Sequence, residues 1–358
     1  MAIVFDRSNL NRVVDRTDVL EVIPNQWGLI NDMGIFRDRY SSQKRIEIVR
    51  EFDQQSIAVD RNWDERNSTV GPLTRDSLLL KIPHFPMDDA ITPNDIDGII
   101  AVDNVSDAIN LETVAGIRLR KMERLRKTHA LTLEAARAQL ITTGTVYAPT
   151  GTLRAGAVAT TNYYTEFGVT RTELPITLVG ATDPRAQFEA VIAGIQDGYR
   201  SGSIMTGFMV LCSPTFFSAL WTNPFVTDAV KYFQQSQSLS ILTGRPQAAG
   251  LDARYRSLTL WGMTFVEYRG GYTIGGQGGT FVPYIPAGDA YAFPMGTDDL
   301  FETYYAPANR FGSINRTAQG SYWFEYLNEK DDIIEIMTEQ NFLNALLHPQ
   351  AVVRLYLA

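Results

Sequence analysis

Soft metal ligands are nearly missing from this chain of 358 residues, which has one cysteine, Cys212, and three histidines, His84, His129 and His348. A single cysteine excludes an internal disulfide framework and points to a reducing compartment. A zinc site needs several such ligands at short spacing, and these four lie far apart in the chain. No apolar run approaches the ~20 residues that cross a bilayer. The opening stretch, MAIVFDRSNLNRVVDR, is charged throughout and lacks the apolar segment of a secretory signal. Without a secretory route, the glycosylation-type triplets at Asn67, Asn104 and Asn315 carry no weight.

Catalytic signatures are equally scarce. There is no Gly-x-Ser-x-Gly elbow, and a Ser-His-Asp triad would have to be gathered from distant positions. The glycine-rich run from Arg269 to Gly279 lacks the lysine of a phosphate loop. It also leads into an apparent strand at Thr280-Phe281-Val282 rather than a helix, so it reads as a hairpin tip. Asp88-Asp89 and Asp331-Asp332 are paired acids in turn-like surroundings, and solvated turns explain them better than acid/base work. The expectation is a protein with no enzymatic site, no cofactor and no metal; an α/β enzyme is the rival from another class.

Charge is abundant but uneven. Lys and Arg number 32 against 40 Asp and Glu, a net charge of −8, which argues against a freely soluble nucleic-acid-binding domain. Yet Arg118, Arg120, Lys121, Arg124, Arg126 and Lys127 form a cluster holding one acid, Glu123. The C-terminal part is acidic. The cluster reads as a solvated helix face, as a partner for acids on a neighbour, or as a surface beside nucleic acid, where phosphate contact requires only positive charge.

The pattern of residues divides the chain. Residues 1–43 carry scattered large apolar groups (Trp27, Ile30, Phe36), too many for a disordered tail and too few for a core, so the segment packs on the body or on a neighbour. Alternation at Arg45 to Ile48 and a run at Leu78 to Ile82 flank a polar stretch and predict a long hairpin, with Trp63 near its tip. Two strands alone are marginal in water, so a partner surface is expected. Residues 83–97 are rich in Pro and Asp and read as a linker.

A long helix is predicted next, capped by Ser106 or Asn110 and stopped at Gly144. Its stripe runs Leu111, Ala115, Leu119, Met122, Leu125, His129, Leu133, Ala136, Leu140. It spans roughly 45–50 Å, a spine lying along a sheet, with His129 a satisfied helix histidine. Short strands follow to 182, among them Phe167 to Thr170 and Ile176 to Val179. Asp183-Pro184 starts a helix with the stripe Phe188, Val191, Ile192, Ile195, Tyr199. A buried strand at 208–212, helices from Ser213-Pro214 and Asn223-Pro224, and strands at 257–269 and 280–285 complete an α/β unit. Strands at 299–305 and 322–337, turning at 328–331, an apparent helix end at His348, and a last strand at 352–357 close the chain.

This order of parts resembles the Hong Kong 97 fold of tailed-phage and herpesvirus capsids. Asn223 to Phe233 (NPFVTDAVKYF), Tyr284 to Pro294 (YIPAGDAYAFP), Asp299 to Phe311 and Pro349 to Leu355 (PQAVVRL) look like the lambda-type major capsid protein E family. The resemblance covers nearly the whole chain. It implies an α+β fold: an N-terminal arm (1–45), an extended hairpin loop (46–96), a peripheral domain with the spine helix (97–182), an axial α/β domain (183–298), returning peripheral strands (299–340), and a C-terminal segment (341–358) rejoining the axial domain.

By the same resemblance the protein forms hexamers and pentamers of an icosahedral head and encloses double-stranded DNA. It works with scaffolding and portal proteins, and in some relatives a decoration protein; it needs no membrane, and it assembles in the host cytoplasm before residing in the virion. Because the chain starts at Met1, a separate scaffolding protein is expected rather than a cleaved leader. The candidate inner-face residues are the six basic ones of the cluster. The candidate subunit contacts are Trp27, Phe36, Trp63 and Arg66. Some capsids of this fold are cross-linked through lysine and asparagine; Lys44, Lys81 and Lys121 lie near the corresponding regions, but no cross-link is expected. The rival structural reading, a tail or tube protein, is disfavoured by the spine helix.

Overall fold

The computed structural model describes residues 14–15, 28–52, 74–95, 114–147, 159–180, 182–199, 203–228, 255–274, 280–328 and 333–358. The elements follow in chain order. First come β1 (Val14–Asp15), the one-turn helix α1 (Leu29–Asp32) and β2 (Arg37–Tyr40). Strands β3 (Arg45–Phe52) and β4 (Thr74–Lys81) pair antiparallel from Arg45↔Lys81 to Phe52↔Thr74, which is the expected long hairpin.

The supposed linker is in part a strand, β5 (Phe85–Ile91). It tolerates Pro86 because it lies at the edge of its sheet, where one side of the backbone needs no partner. The spine is α2 (Val114–Thr143), 30 residues long, stopping at Gly144, whose N–H bonds the Leu140 carbonyl at 2.8 Å. The expected caps, Ser106 and Asn110, lie outside the described residues.

After the spine come β6 (Thr145–Tyr147), β7 (Ala159–Asn162), a short helix α3 (Tyr163–Glu166) and β8 (Glu173–Ile176). The strand expected at Phe167–Thr170 does not form; Asn162 instead caps α3, its side chain accepting from the Tyr164 N–H. Helix α4 (Arg185–Gly198) begins where expected, with Asp183 accepting from the Arg185 N–H at 3.0 Å. Next are β9 (Gly207–Cys212) and α5 (Pro214–Thr222), capped by the Ser213 hydroxyl. Residues 224–228 are helical, again as expected.

The single strand expected over 257–269 is a hairpin, β10 (Ser257–Leu260) and β11 (Met263–Glu267). Trp261 and Gly262 both take positive φ, 51° and 76°, the two-residue turn whose twist suits a hairpin. A tryptophan at the first turn position hid it in the sequence. A second hairpin, β12 (Gly271–Ile274) with β13 (Thr280–Pro283), brackets the glycine run. Then come β14 (Asp289–Met295), β15 (Phe301–Tyr305), β16 (Tyr322–Asn328), β17 (Ile333–Gln340), β18 (Phe342–Leu346) and β19 (Val353–Leu357). The apparent helix end before His348 is corrected: β18 is a fully buried strand followed by a 3-10 turn at Pro349–Ala351. A short buried apolar run looks alike in either state.

Three sheets organise these elements. The largest has six strands in the order β10-β11-β9-β14-β19-β8. Its central strands are apolar on both sides because both faces are covered. Val210, Cys212, Ala290, Ala292, Val353 and Leu355 face α4 and α5, with Phe188, Val191, Ile195, Phe216 and Phe217. Their alternates Met209, Leu211, Tyr291 and Phe293 face a second core with Leu140 and Ile141 of the spine, Leu29 and Ile30 of α1, and Ile46 and Leu80 of the hairpin. A four-stranded sheet, β1-β16-β17-β5, carries the N-terminal half of the spine through Ile117, Met122, Leu125, Trp323 and Ile336. A three-stranded sheet, β18-β15-β2, links the two.

The apolar stripe of the spine is as expected from Met122 onward. Nearer its start it is shifted: Ile117 is buried, whereas Ala115 and Leu119 are exposed. Strand β8, expected with the peripheral strands, pairs in parallel with β19 in the six-stranded sheet. Residues 342–346 pair with β15, so only β19 rejoins that sheet.

Candidate assembly surfaces and the clamp behind them

The basic cluster is split by helix geometry into two groups. Lys121 turns toward the four-stranded sheet, where its ammonium donates to Asp95 Oδ2 (3.1 Å), Asp89 Oδ1 (3.4 Å) and the Ala90 carbonyl. Arg118 pairs with Glu325 at 3.1 Å, and Arg126 is half-buried, its pKa held below the usual range by that burial. These three side chains are therefore engaged within the protein or partly buried in it, so the six residues do not form one exposed basic face. Arg120, Arg124 and Lys127 are exposed, and with Glu123, Thr128 and Leu131 they line a shallow groove along the outside of α2. The spacing 120, 124, 127, 131 places them on one helical face.

Phe36, expected at a subunit contact, is in the protein's own core. It packs on Phe301 with ring centroids 4.9 Å apart and lies under the Arg137 guanidinium. A large ring with an apolar pocket available in its own chain gains more by filling it than by waiting for a neighbour. Trp27, Trp63 and Arg66 lie outside the described residues.

The hairpin has two different faces. Ile46, Ile48, Leu80 and Ile82 point into the core. On the outer face Val49 and Leu79 are 51% and 62% exposed, and the register (Glu47↔Leu79, Val49↔Ser77) makes them diagonal neighbours. At its foot, Lys44 donates to Asn309 Oδ1 at 2.6 Å, and His84 Nδ1 lies 2.7 Å from Asn341 Oδ1. Lys81, Ile82, Ala306 and Pro307 complete an open cavity there.

Behind these surfaces is a polar clamp that sequence reasoning missed. Glu134, 1% exposed, accepts from the N–H groups of Ile30 (2.8 Å) and Asn31 (2.9 Å) at the start of α1, and from the Tyr268 hydroxyl. Burial pushes its pKa up, opposed by those donors and by Arg137. Arg137 donates to Asn31 Oδ1 (2.8 Å), Asp38 Oδ1 (3.0 Å) and Thr303 Oγ1 (3.0 Å). Gly28, at φ +114°, lets the arm approach; a Cβ there would sit 2.4 Å from Glu134 Oε2. One turn of the spine thus ties the arm, β15 and the six-stranded sheet together. The signal was present as two charged residues inside the apolar half of the spine.

Cys212 is fully buried and its thiol is pushed well up by burial, the opposite of an activated nucleophile. His348 Nε2 is 3.4 Å from Asp299 and packs edge-on to Tyr199. Among the described residues no group of His, Cys, Asp and Glu is placed to hold a metal.

Comparison with known proteins places this geometry. The family model described as phage major capsid protein E matches residues 13–357. The major capsid protein of Pseudomonas phage KPP10 is 38% identical over 342 residues, 95% of each chain. That of Salmonella phage Felix O1 is 26% identical, again over 95% of each. Among solved structures, the capsid of Myoviridae phage XM1 aligns over 100% of this chain and 99% of its own, with 10% identity and a TM-score of 0.51.

Proposed function

The chain belongs to the phage major capsid protein E family, and from that premise we infer that it is the repeating subunit of a phage head, with the Hong Kong 97-type α+β fold. The observation that carries this is the family match from residue 13 to 357, which takes in every sheet described above. A closed shell gains its stability from many modest contacts repeated by symmetry, which suits a chain whose sheets leave several strand edges open. The protein resides in the virion; assembly in the host cytoplasm fits its single, buried cysteine.

The finer reading has four parts. Copies associate as hexamers and pentamers of an icosahedral head, guided by scaffolding and portal proteins. The six-stranded sheet with α4 and α5 is the axial domain; the spine and the other two sheets are peripheral; the β3–β4 hairpin is the extended loop. Val49 and Leu79 supply its contact with a neighbour. The groove of Arg120, Arg124 and Lys127 faces packaged double-stranded DNA, where positive charge suffices without base reading.

Expression of the chain alone and beside its scaffolding protein, followed by electron microscopy, tests the reading. Rings of five and six or closed shells are expected; a monodisperse monomer under all conditions would overturn it. The groove has its own test. Replacing Arg120, Arg124 and Lys127 by Gln is expected to weaken binding of a short duplex to unassembled capsomers. The slope of log affinity against log salt should flatten by roughly one per residue removed. An unchanged slope would assign the stripe to solvent.

A further inference from the structure

We propose that Phe311 is a knob that docks on a second copy of this chain, joining subunits of the shell; the proposal rests on the capsid reading above. The ring is 103% exposed, whereas every other large exposed apolar side chain among the described residues keeps part of its surface covered. Isolated apolar residues at a surface need no explanation. This one does, because the backbone under it is built to hold it out.

The turn bearing Phe311 is closed by two bonds to one acceptor: the N–H groups of Ser313 and Ile314 both donate to the Arg310 carbonyl at 3.0 Å. Asn315 takes a positive φ of 62°, and the Ala318 N–H is tied back to the Ser41 carbonyl at 3.0 Å. Arg310, next to the ring, is itself fixed: its guanidinium lies over Phe324, 5.1 Å from the ring centre, and donates to Met337 Sδ at 2.7 Å. A loose loop would fold a phenylalanine back onto the body. This loop presents it to solvent beside Ile314, 40% exposed.

Charge favours another copy as the occupant. Between Glu302 and Glu325 the chain contains no acidic residue; of the two arginines it holds, Arg310 lies 4.0 Å from Glu339, which leaves Arg316 as the positive charge of the tip. Arg316, on the same loop, is exposed. Copies with a net charge of −8 repel one another. A tip that is basic and apolar is a place where two can meet, because it complements the acidic remainder of a neighbour. In a shell the neighbour present at every position is this same chain.

The test places a photo-cross-linking phenylalanine analogue at position 311 of the full chain and irradiates assembled particles. Cross-linked dimers whose joined peptides both derive from this chain are expected. Cross-links only to another virion protein, or none, would overturn the proposal. Wild-type particles form in either case, so failure here is separable from failure of the capsid reading, in which no particles form at all. As a second arm, Phe311→Ser should leave the unfolding midpoint of the unassembled chain unchanged, since the ring is fully exposed. It should raise the protein concentration needed for half-assembly by about tenfold or more. Assembly at the wild-type concentration would overturn the proposal.

Discussion

Glu134→Ala is expected to destabilise the unassembled protein by about 3–5 kcal/mol, the range for removing one partner of a buried charged network. The substitution leaves the N–H groups of Ile30 and Asn31 and the Tyr268 hydroxyl without the acceptor they share, and leaves Arg137 buried beside an empty site. Each unsatisfied donor carries its desolvation penalty, about 1–3 kcal/mol. The damage is not local, since α1, β15 and the six-stranded sheet all meet at this turn of the spine. Glu134→Gln retains one carbonyl oxygen and should cost less, but its amide hydrogens then face donors. Urea unfolding checks both. A loss below about 1 kcal/mol for the alanine variant would show that the clamp does not hold the arm.

Acid should weaken the protein through His129. This histidine is 4% exposed on the spine, and its Nε2 lies 2.8 Å from the Thr338 hydroxyl. That hydroxyl donates its own hydrogen to the Met87 carbonyl at 2.8 Å, so it accepts from His129, and Nε2 bears the proton. Nδ1 then faces the interior with no partner, and a second proton would place an uncompensated charge there. Burial accordingly lowers the pKa from 6.5 to about 4. The unfolded chain takes up a proton below pH 6.5 and the folded one does not until about pH 4. Stability is therefore complete above 6.5 and lost as the pH falls through that window, by about 3 kcal/mol. Glu134 works in the opposite sense, because burial raises its pKa. The His129 share is isolated by comparison with His129→Gln, which does not titrate. The variant should lose less stability than wild type between pH 6.5 and 4; parallel losses would remove His129 as the cause.

How much could be read beforehand depended on distance along the chain. Features that arise within a few residues were legible. The spine from Met122 to Gly144, the start of α4 at Asp183-Pro184, the Ser213 cap and the β3–β4 and β16–β17 hairpins each follow from local periodicity, caps and turn chemistry. Order and motif then pointed to the family, because the arm, hairpin, spine and α/β unit occur in that sequence.

Other features were decided only by tertiary structure. β5 passed for a linker because proline is acceptable at a sheet edge, and edges are set by which strands pair. β18 passed for the end of a helix because a fully buried strand has no alternation. The six basic residues on the spine looked like one surface, but a helix turns 100° per residue, and the sheet beneath claimed Lys121 and Arg118 while leaving Arg120, Arg124 and Lys127 outside. Phe36 and Phe311 are the same residue type with opposite fates. No local pattern separates them, since burial depends on what arrives from elsewhere: Phe301 and Arg137 come to Phe36, and among the described residues nothing covers Phe311. The sequence by itself determined the spine, the capped starts of α4 and α5, the β3–β4 and β16–β17 hairpins and the family, because these depend on near neighbours; the tertiary structure decided which surfaces remain for other copies, because exposure is whatever the completed fold leaves uncovered.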